Sequence, residues 1–213
     1  MNIVVNTFAT RTSGALTIYK QFVSHLKENI GGNNWYIYVD SSMPQPQMEN
    51  VTYIYDDNHS WRHRIYWDDA GCMRQLKKKG IVPDVIVSLQ NSGCITKCRQ
   101  VVYHHQSLPL YKKGWSFFKK DERVLAMYKY FYPFIISPTF TKNTDVVVQI
   151  PFIKRGFVKK YGHPEDKVYV LFPDVYVQVP QDNEKDEELR RSPYFIYPAT
   201  GASYKQHRTI VNA

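Results

Sequence analysis

The sequence predicts an α/β fold, a Rossmann-like parallel sheet with helices on both faces, and three observations carry the prediction. Short β-rich runs alternate with stretches of helical periodicity along most of the chain. Two of those runs, Asp84-Val85-Ile86-Val87-Ser88-Leu89 and Gln100-Val101-Val102-Tyr103-His104, are nearly continuous in apolar residues, as strands covered on both faces are. A glycine-containing loop, Thr7 to Gly14, joins the first strand to the first helix.

The elements follow in order. Asn2 to Asn6 is a short apolar strand. Leu16, Tyr19, Phe22, Val23 and Leu26, three and four apart, lay an apolar face along a helix reaching about Asn29, where Gly31-Gly32-Asn33-Asn34 stops it. Trp35 to Val39 and Val51 to Tyr55 read as strands. A helix from about Ser60 to Lys79 ends at Gly80 and Pro83. The two buried runs come next and are expected, with Asn2 to Asn6, at the centre of the sheet. A further helix is expected from Ser116 to about Tyr130, interrupted by Pro133. Asp145 to Gln149 repeats the buried-strand pattern, Pro151 suits the first turn of a helix through Tyr161, and Lys167 to Phe172 is one more strand. These elements give a first domain over residues 1–177. A charged, apolar-poor stretch then predicts a linker at 178–192. Residues 193–213, with a strand at Tyr194 to Tyr197 and a helix start at Tyr204, read as the opening of a second α/β domain cut off at Ala213.

Composition narrows the class. With 43% hydrophobic residues the 213-residue chain has ample material for a core, and no run approaches the roughly 20 apolar residues of a membrane span. The start, Met1-Asn2-Ile3-Val4-Val5, lacks a secretion pattern, so the expected location is cytoplasmic, with peripheral contact at the inner face of the membrane as an option. Cys72, Cys94 and Cys98 form no zinc spacing and read as reduced structural thiols, so no metal is expected. A formal charge of +9 calls for an anionic partner: nucleic acid, anionic lipid or a sugar nucleotide.

Three segments offer chemistry. Sheets of this class place ligands beyond the carboxyl ends of their strands, so the loops Thr7 to Gly14, Gln90 to Gly93 and His104 to Pro109 are expected to converge on one crevice. Ser13 and Gly14 stand at a helix start whose free amides suit an anion, although a plain strand-to-helix turn explains them as well. In His104-His105-Gln106 alternate residues point to opposite faces, so one histidine lines the crevice, and His105 is nearer the loop. Proton transfer and hydrogen bonding there compete with a capping role. Tyr111-Lys112-Lys113-Gly114-Trp115-Ser116-Phe117-Phe118-Lys119-Lys120 interleaves basic and aromatic residues. It fits a helix packing its aromatics inward, an anionic membrane surface, or base stacking. The last ranks lowest because no nucleic-acid motif accompanies it, and nucleic acid is not an expected partner.

The run Asp145-Val146-Val147-Val148-Gln149-Ile150-Pro151-Phe152 through Gly162, followed by Lys167 to Leu171, resembles the last acceptor-domain elements of family-four-type retaining glycosyltransferases of the GT-B fold. Val102 to Pro109 is similar to that family's strand ending in a histidine at the interdomain cleft. Tyr194 to Thr200 with Tyr204-Lys205-Gln206-His207 is similar to the first donor-domain strand and its phosphate-contacting lysine. The resemblance implies the N-terminal half of a GT-B fold. It implies that His105 positions the reacting groups, that Ser13 and Gly14 lie near the donor phosphates or acceptor, and that Lys205 meets the donor diphosphate. Gln90, Asn91 and Gln106, in the loops expected to line the crevice, are expected to bind substrate with them. It also implies transfer of a hexosyl group from a nucleotide sugar to a glycan or lipid-linked acceptor, with the nucleotide sugar as substrate and no cofactor. No Asp-x-Asp occurs, in keeping with metal independence. The family's Glu-containing donor motif has no counterpart, so the chain alone is expected to be inactive. The rival expectation is a non-catalytic Rossmann-like domain that binds an anionic ligand or a protein partner.

Overall fold

Strand β1 (Asn2–Asn6) runs between β2 (Asn34–Val39) and β4 (Val85–Ser88), with Val4 opposite Tyr36 on one side and Ile86 on the other. The computed structural model describes residues 1–10, 13–58, 60–173, 195–199, 201, 205 and 207–212, Ser13 by its backbone alone. With β3 (Val51–Tyr55), β5 (Arg99–His104), β6 (Thr144–Val148) and β7 (Val168–Val170), these strands make one seven-stranded sheet in the order β3-β2-β1-β4-β5-β6-β7. Every neighbouring pair is parallel. The fold is therefore the Rossmann-like α/β architecture that the sequence predicts, with β1, β4 and β5 in the middle of the sheet.

Side-chain alternation assigns the faces. Val5, Ile37, Val39 and Leu89 pack against Tyr19, Val23 and Leu26 of α1 (Ser13–Glu28). Their neighbours Val4, Tyr38, Ile54 and Ile86 point the other way, against Trp67, Cys72 and Leu76. Helices thus cover both faces. Each fully buried aliphatic side chain in these layers is worth about 1.5–3 kcal/mol relative to exposure. The three cysteines are free thiols, Cys72 and Cys94 buried.

The helix expected from Ser60 to Lys79 forms in three pieces. Ser60 caps α2 (Trp61–Tyr66), its hydroxyl accepting from the His63 N–H at 3.2 Å. A π-helical turn, Trp67–Gly71, leads on into α3 (Cys72–Lys78), the Cys72 N–H reaching back to the Trp67 carbonyl. Gly71 makes this possible: a Cβ there would stand 2.8 Å from Cε1 of Tyr66 and 3.3 Å from the Tyr66 carbonyl oxygen.

The next helix corrects the expectation. Ser116 is irregular and residues 117–121 are bends and turns, held where the Glu122 carboxylate accepts from the Ser116 N–H at 2.8 Å and Arg123 Nε donates to the Phe117 carbonyl at 3.0 Å. Helix begins at α4 (Arg123–Ala126) and passes through a second π turn, Met127–Phe131, into α5 (Tyr132–Ile136). Pro133 therefore lies inside the helical stretch. The π turn sends the Tyr132 N–H to the Met127 carbonyl, and this slip in the ladder accommodates a residue that has no N–H to give.

α6 (Pro151–Tyr161) packs Ile153 and Phe157 on Val146, Val148 and Val168. The last strand is shorter than expected, Lys167 closing a 3₁₀ turn before β7. The expected linker at 178–192 lies outside the described residues. Residues 195–199 are irregular where a strand is expected, and α7 (His207–Val211) is the helix beyond the expected start at Tyr204, itself outside the described residues.

Candidate functional site

Beyond the carboxyl ends of β1, β4 and β5 the three loops are tied to one another by side chains. The Ala9 N–H, in the β1 loop, donates to Gln90 Oε1 at 3.1 Å, in the β4 loop. Gln90 Nε2 donates in turn to Asp68 at 3.0 Å, and Asp68 also accepts from Ser92 Oγ at 2.6 Å and from Arg64 Nε at 3.2 Å. Arg64 Nη2 donates to the Gln90 carbonyl and to Ser92 Oγ, each at 2.9 Å. Burial pushes the Asp68 carboxyl up from its usual range, while Arg64 and the other donors pull it down. Gln90 is 2% exposed with both ends of its amide hydrogen-bonded, so its role is to hold the loops together.

Asn91 joins the β4 loop to the end of β5. Its φ of 73° is left-handed, a conformation asparagine tolerates, and it turns the side chain onto the next strand. Asn91 Oδ1 accepts from the His105 N–H at 2.7 Å, which leaves Nδ2 to donate to His105 Nε2 at 3.2 Å. Nε2 is therefore an acceptor, and the neutral ring carries its proton on Nδ1, an atom with no partner among the described residues. The Asn91 carbonyl accepts from His104 Nδ1 at 3.0 Å.

The two histidines part company at this point. His104 is fully buried, with its ring 5.0 Å from that of Phe157 and 6.0 Å from that of Tyr161. Its pKa falls to about 4, chiefly through burial, with the neighbouring His105 also lowering it against the pull of the Asn91 and Gln106 carbonyls. His105 is half-buried and its pKa also falls to about 4 through burial. Both rings are neutral at pH 7.

His105 lies on the wall of a cavity of about 610 Å³, a volume that suits a small-molecule ligand. Gln106, Ser107 and Leu108 continue that wall, Tyr111, Lys113 and Trp115 form a second, and Tyr197 and Lys205 a third. Gln106 braces its own loop, its Oε1 accepting from the Leu108 N–H at 3.1 Å. Lys113 rests over the Trp115 ring, 4.6 Å from its centroid. Tyr197 is joined to the Lys205 backbone, its hydroxyl donating to the carbonyl at 2.8 Å. Among the described lining residues are two lysines and no carboxylate, so the cavity favours an anion.

Of the residues singled out in the sequence, the structure brings His105, Gln106 and Lys205 onto this cavity. Gln90 and Asn91 stand behind it and act through the backbone they hold. Gly14 is exposed at the start of α1 and is not among the lining residues, and of Ser13 only the backbone is described. Arg64 and Asp68 were visible in sequence as an i, i+4 pair on a helix, the spacing of a surface ion pair, but their burial against the β4 loop was not. Among the described residues no group of acidic, histidine or cysteine side chains is placed to hold a metal ion, and no helix is long and apolar enough to cross a membrane. Comparison of the chain with protein-family models and with curated proteins finds no match.

Proposed function

We propose that this chain is the acceptor-side domain of a glycosyltransferase, moving a hexosyl group from a nucleotide sugar to a glycan or lipid-linked acceptor. The observation that supports the reading best is the cavity beyond β5. It sets a neutral, N–H-bearing imidazole among two lysines with no carboxylate in the described lining. A nucleotide sugar offers this surface a diphosphate for the cations and sugar hydroxyls for the imidazole and Gln106. Lys205 supplies a compact fixed charge for the diphosphate. His105 has Nε2 held by Asn91 and its Nδ1–H enclosed without a partner among the described residues, so donating to an oxygen of the reacting sugar or acceptor requires the ring to turn toward the cavity as ligand binds, and at neutral pH it does so uncharged.

Calorimetric titration with nucleoside-diphosphate sugars tests the binding half. Saturable binding that weakens about tenfold or more in Lys205→Ala is expected. Equal affinity for inorganic pyrophosphate and every nucleotide sugar would favour a non-catalytic anion-binding domain, and no binding of either would end both readings. The chemical half is read by initial rates of hexosyl transfer with the chain joined to a donor-side domain, since the chain alone is expected to be inactive. There His105→Ala lowers turnover by on the order of a hundredfold at unchanged fold, whereas His104→Ala acts through stability. Wild-type turnover in His105→Ala would remove that residue from the site.

A further inference from the structure

The helical stretch that carries Pro133 is apolar on its outer side as well as its inner one. Leu125, Ala126, Tyr132 and Ile136 fill the inner side and are buried. Val124, Met127, Phe131 and Phe134, spaced three, four and three residues apart, line the outer side and are 64%, 46%, 52% and 78% exposed. The preceding loop extends this stripe. The Phe117 ring lies 5.6 Å from that of Phe131, and Phe118 beside it is 95% exposed. Isolated exposed apolar residues are ordinary, but a continuous stripe of them ending in a fully exposed aromatic marks a surface that meets something.

The charges beside the stripe say what it meets. Residues 111–134 hold six Lys or Arg and two acidic residues, a net +4 of the chain's +9. One of the two acids, Glu122, is already engaged by the Ser116 N–H and by Lys119 at 3.5 Å. Lys119, Lys120 and Arg123 are exposed and adjoin Phe118 and Val124. Protein interfaces exclude lysine from their apolar centres, whereas a bilayer surface accepts aromatic side chains among the headgroups with lysines against the phosphates. We infer that the face formed by Phe118 and the Val124-Met127-Phe131-Phe134 stripe docks on an anionic lipid surface. This inference stands independently of the glycosyltransferase reading. It places the cavity beside the bilayer, because Tyr111, Lys113 and Trp115 belong to the same segment and line it.

Co-sedimentation of the full chain with vesicles of phosphatidylcholine, with and without one-third phosphatidylglycerol, is the test. Binding to the anionic vesicles, little to the neutral ones, and weakening as salt rises are expected. Phe118→Ser with Phe134→Ser, both at highly exposed positions, should reduce binding about tenfold or more with an unchanged thermal melt. Lys119→Glu with Lys120→Glu should do the same. Equal binding to both vesicle types, or none to either, overturns the inference. So does a concentration-dependent dimer in sedimentation velocity that Phe118→Ser/Phe134→Ser abolishes, since the stripe then belongs to a second copy. Nucleotide-sugar titration is unaffected by any of these outcomes, so the two proposals fail separately.

Discussion

At the scale of single residues, the adjacent histidines make stability depend on pH in a defined window. In the unfolded chain each binds a proton near pH 6.5, and in the fold neither does until about pH 4. Between those values the unfolded state holds more protons, so stability is fully present above about pH 6.5 and is lost as pH falls toward 4. Comparing denaturant unfolding of wild type with His104→Gln and His105→Gln across that range isolates the effect, since other titrating groups cancel. Each variant should show a shallower loss below pH 6.5, and ¹⁵N spectra of the wild-type rings should show Nδ1–H tautomers until protonation sets in near pH 4. Unchanged slopes in both variants would mean that the rings charge without cost. Strand alternation made the division between an inward His104 and a cavity-lining His105 legible in the sequence. The hand of Asn91 was not legible, because it depends on a left-handed backbone whose partner strand is set by the fold.

At the scale of elements, two glycines separate packing from function. A Cβ on Gly93 would stand 2.4 Å from Gln100 Oε1, which accepts from the Cys94 N–H at 2.9 Å. Gln100 Nε2 is equally occupied, donating to the Thr139 carbonyl at 2.8 Å and to Thr144 at 2.9 Å, so the amide has nowhere to move. Gly93→Ala should destabilise by about 2–3 kcal/mol in a denaturant melt. Gly14, in the first turn of α1, has nothing within 4 Å of a Cβ, and Gly14→Ala should be neutral or stabilise by up to about 1 kcal/mol. A stable Gly14→Ala protein that no longer binds nucleotide sugars would show that a ligand approaches the backbone there. The strands were legible because parallel strands buried on both faces leave dense apolar runs. The two π turns were not, since one extra residue in a helix hardly disturbs its apolar period. The late start of α4 was hidden too: Ser116 and Glu122 are held by a local hydrogen bond that no periodicity announces.

Across the whole molecule, chain order and space diverge where it matters. The strand order reverses between β1 and β4, the place where sheets of this kind open a crevice. Here Phe8 and Trp67 stack at 5.4 Å, and Gln90 bonds to Ala9 beside them. The cavity described above lies at the end of β5. The central place of β1 also bears on how the chain is made. During synthesis β2 and β3 follow β1 promptly, yet the partner for its other edge, β4, is paired from Val85 opposite Ile3 and emerges only much later. Until then a nascent three-stranded sheet presents Val4 and Val5 on an open edge with no covering strand, a template for pairing with any neighbouring chain. Ribosome-bound chains halted before Val85 should therefore recruit holding chaperones and aggregate on release. Chains halted well after Ser88 should do so far less, and equal behaviour at both lengths would show that the open edge is shielded by other means.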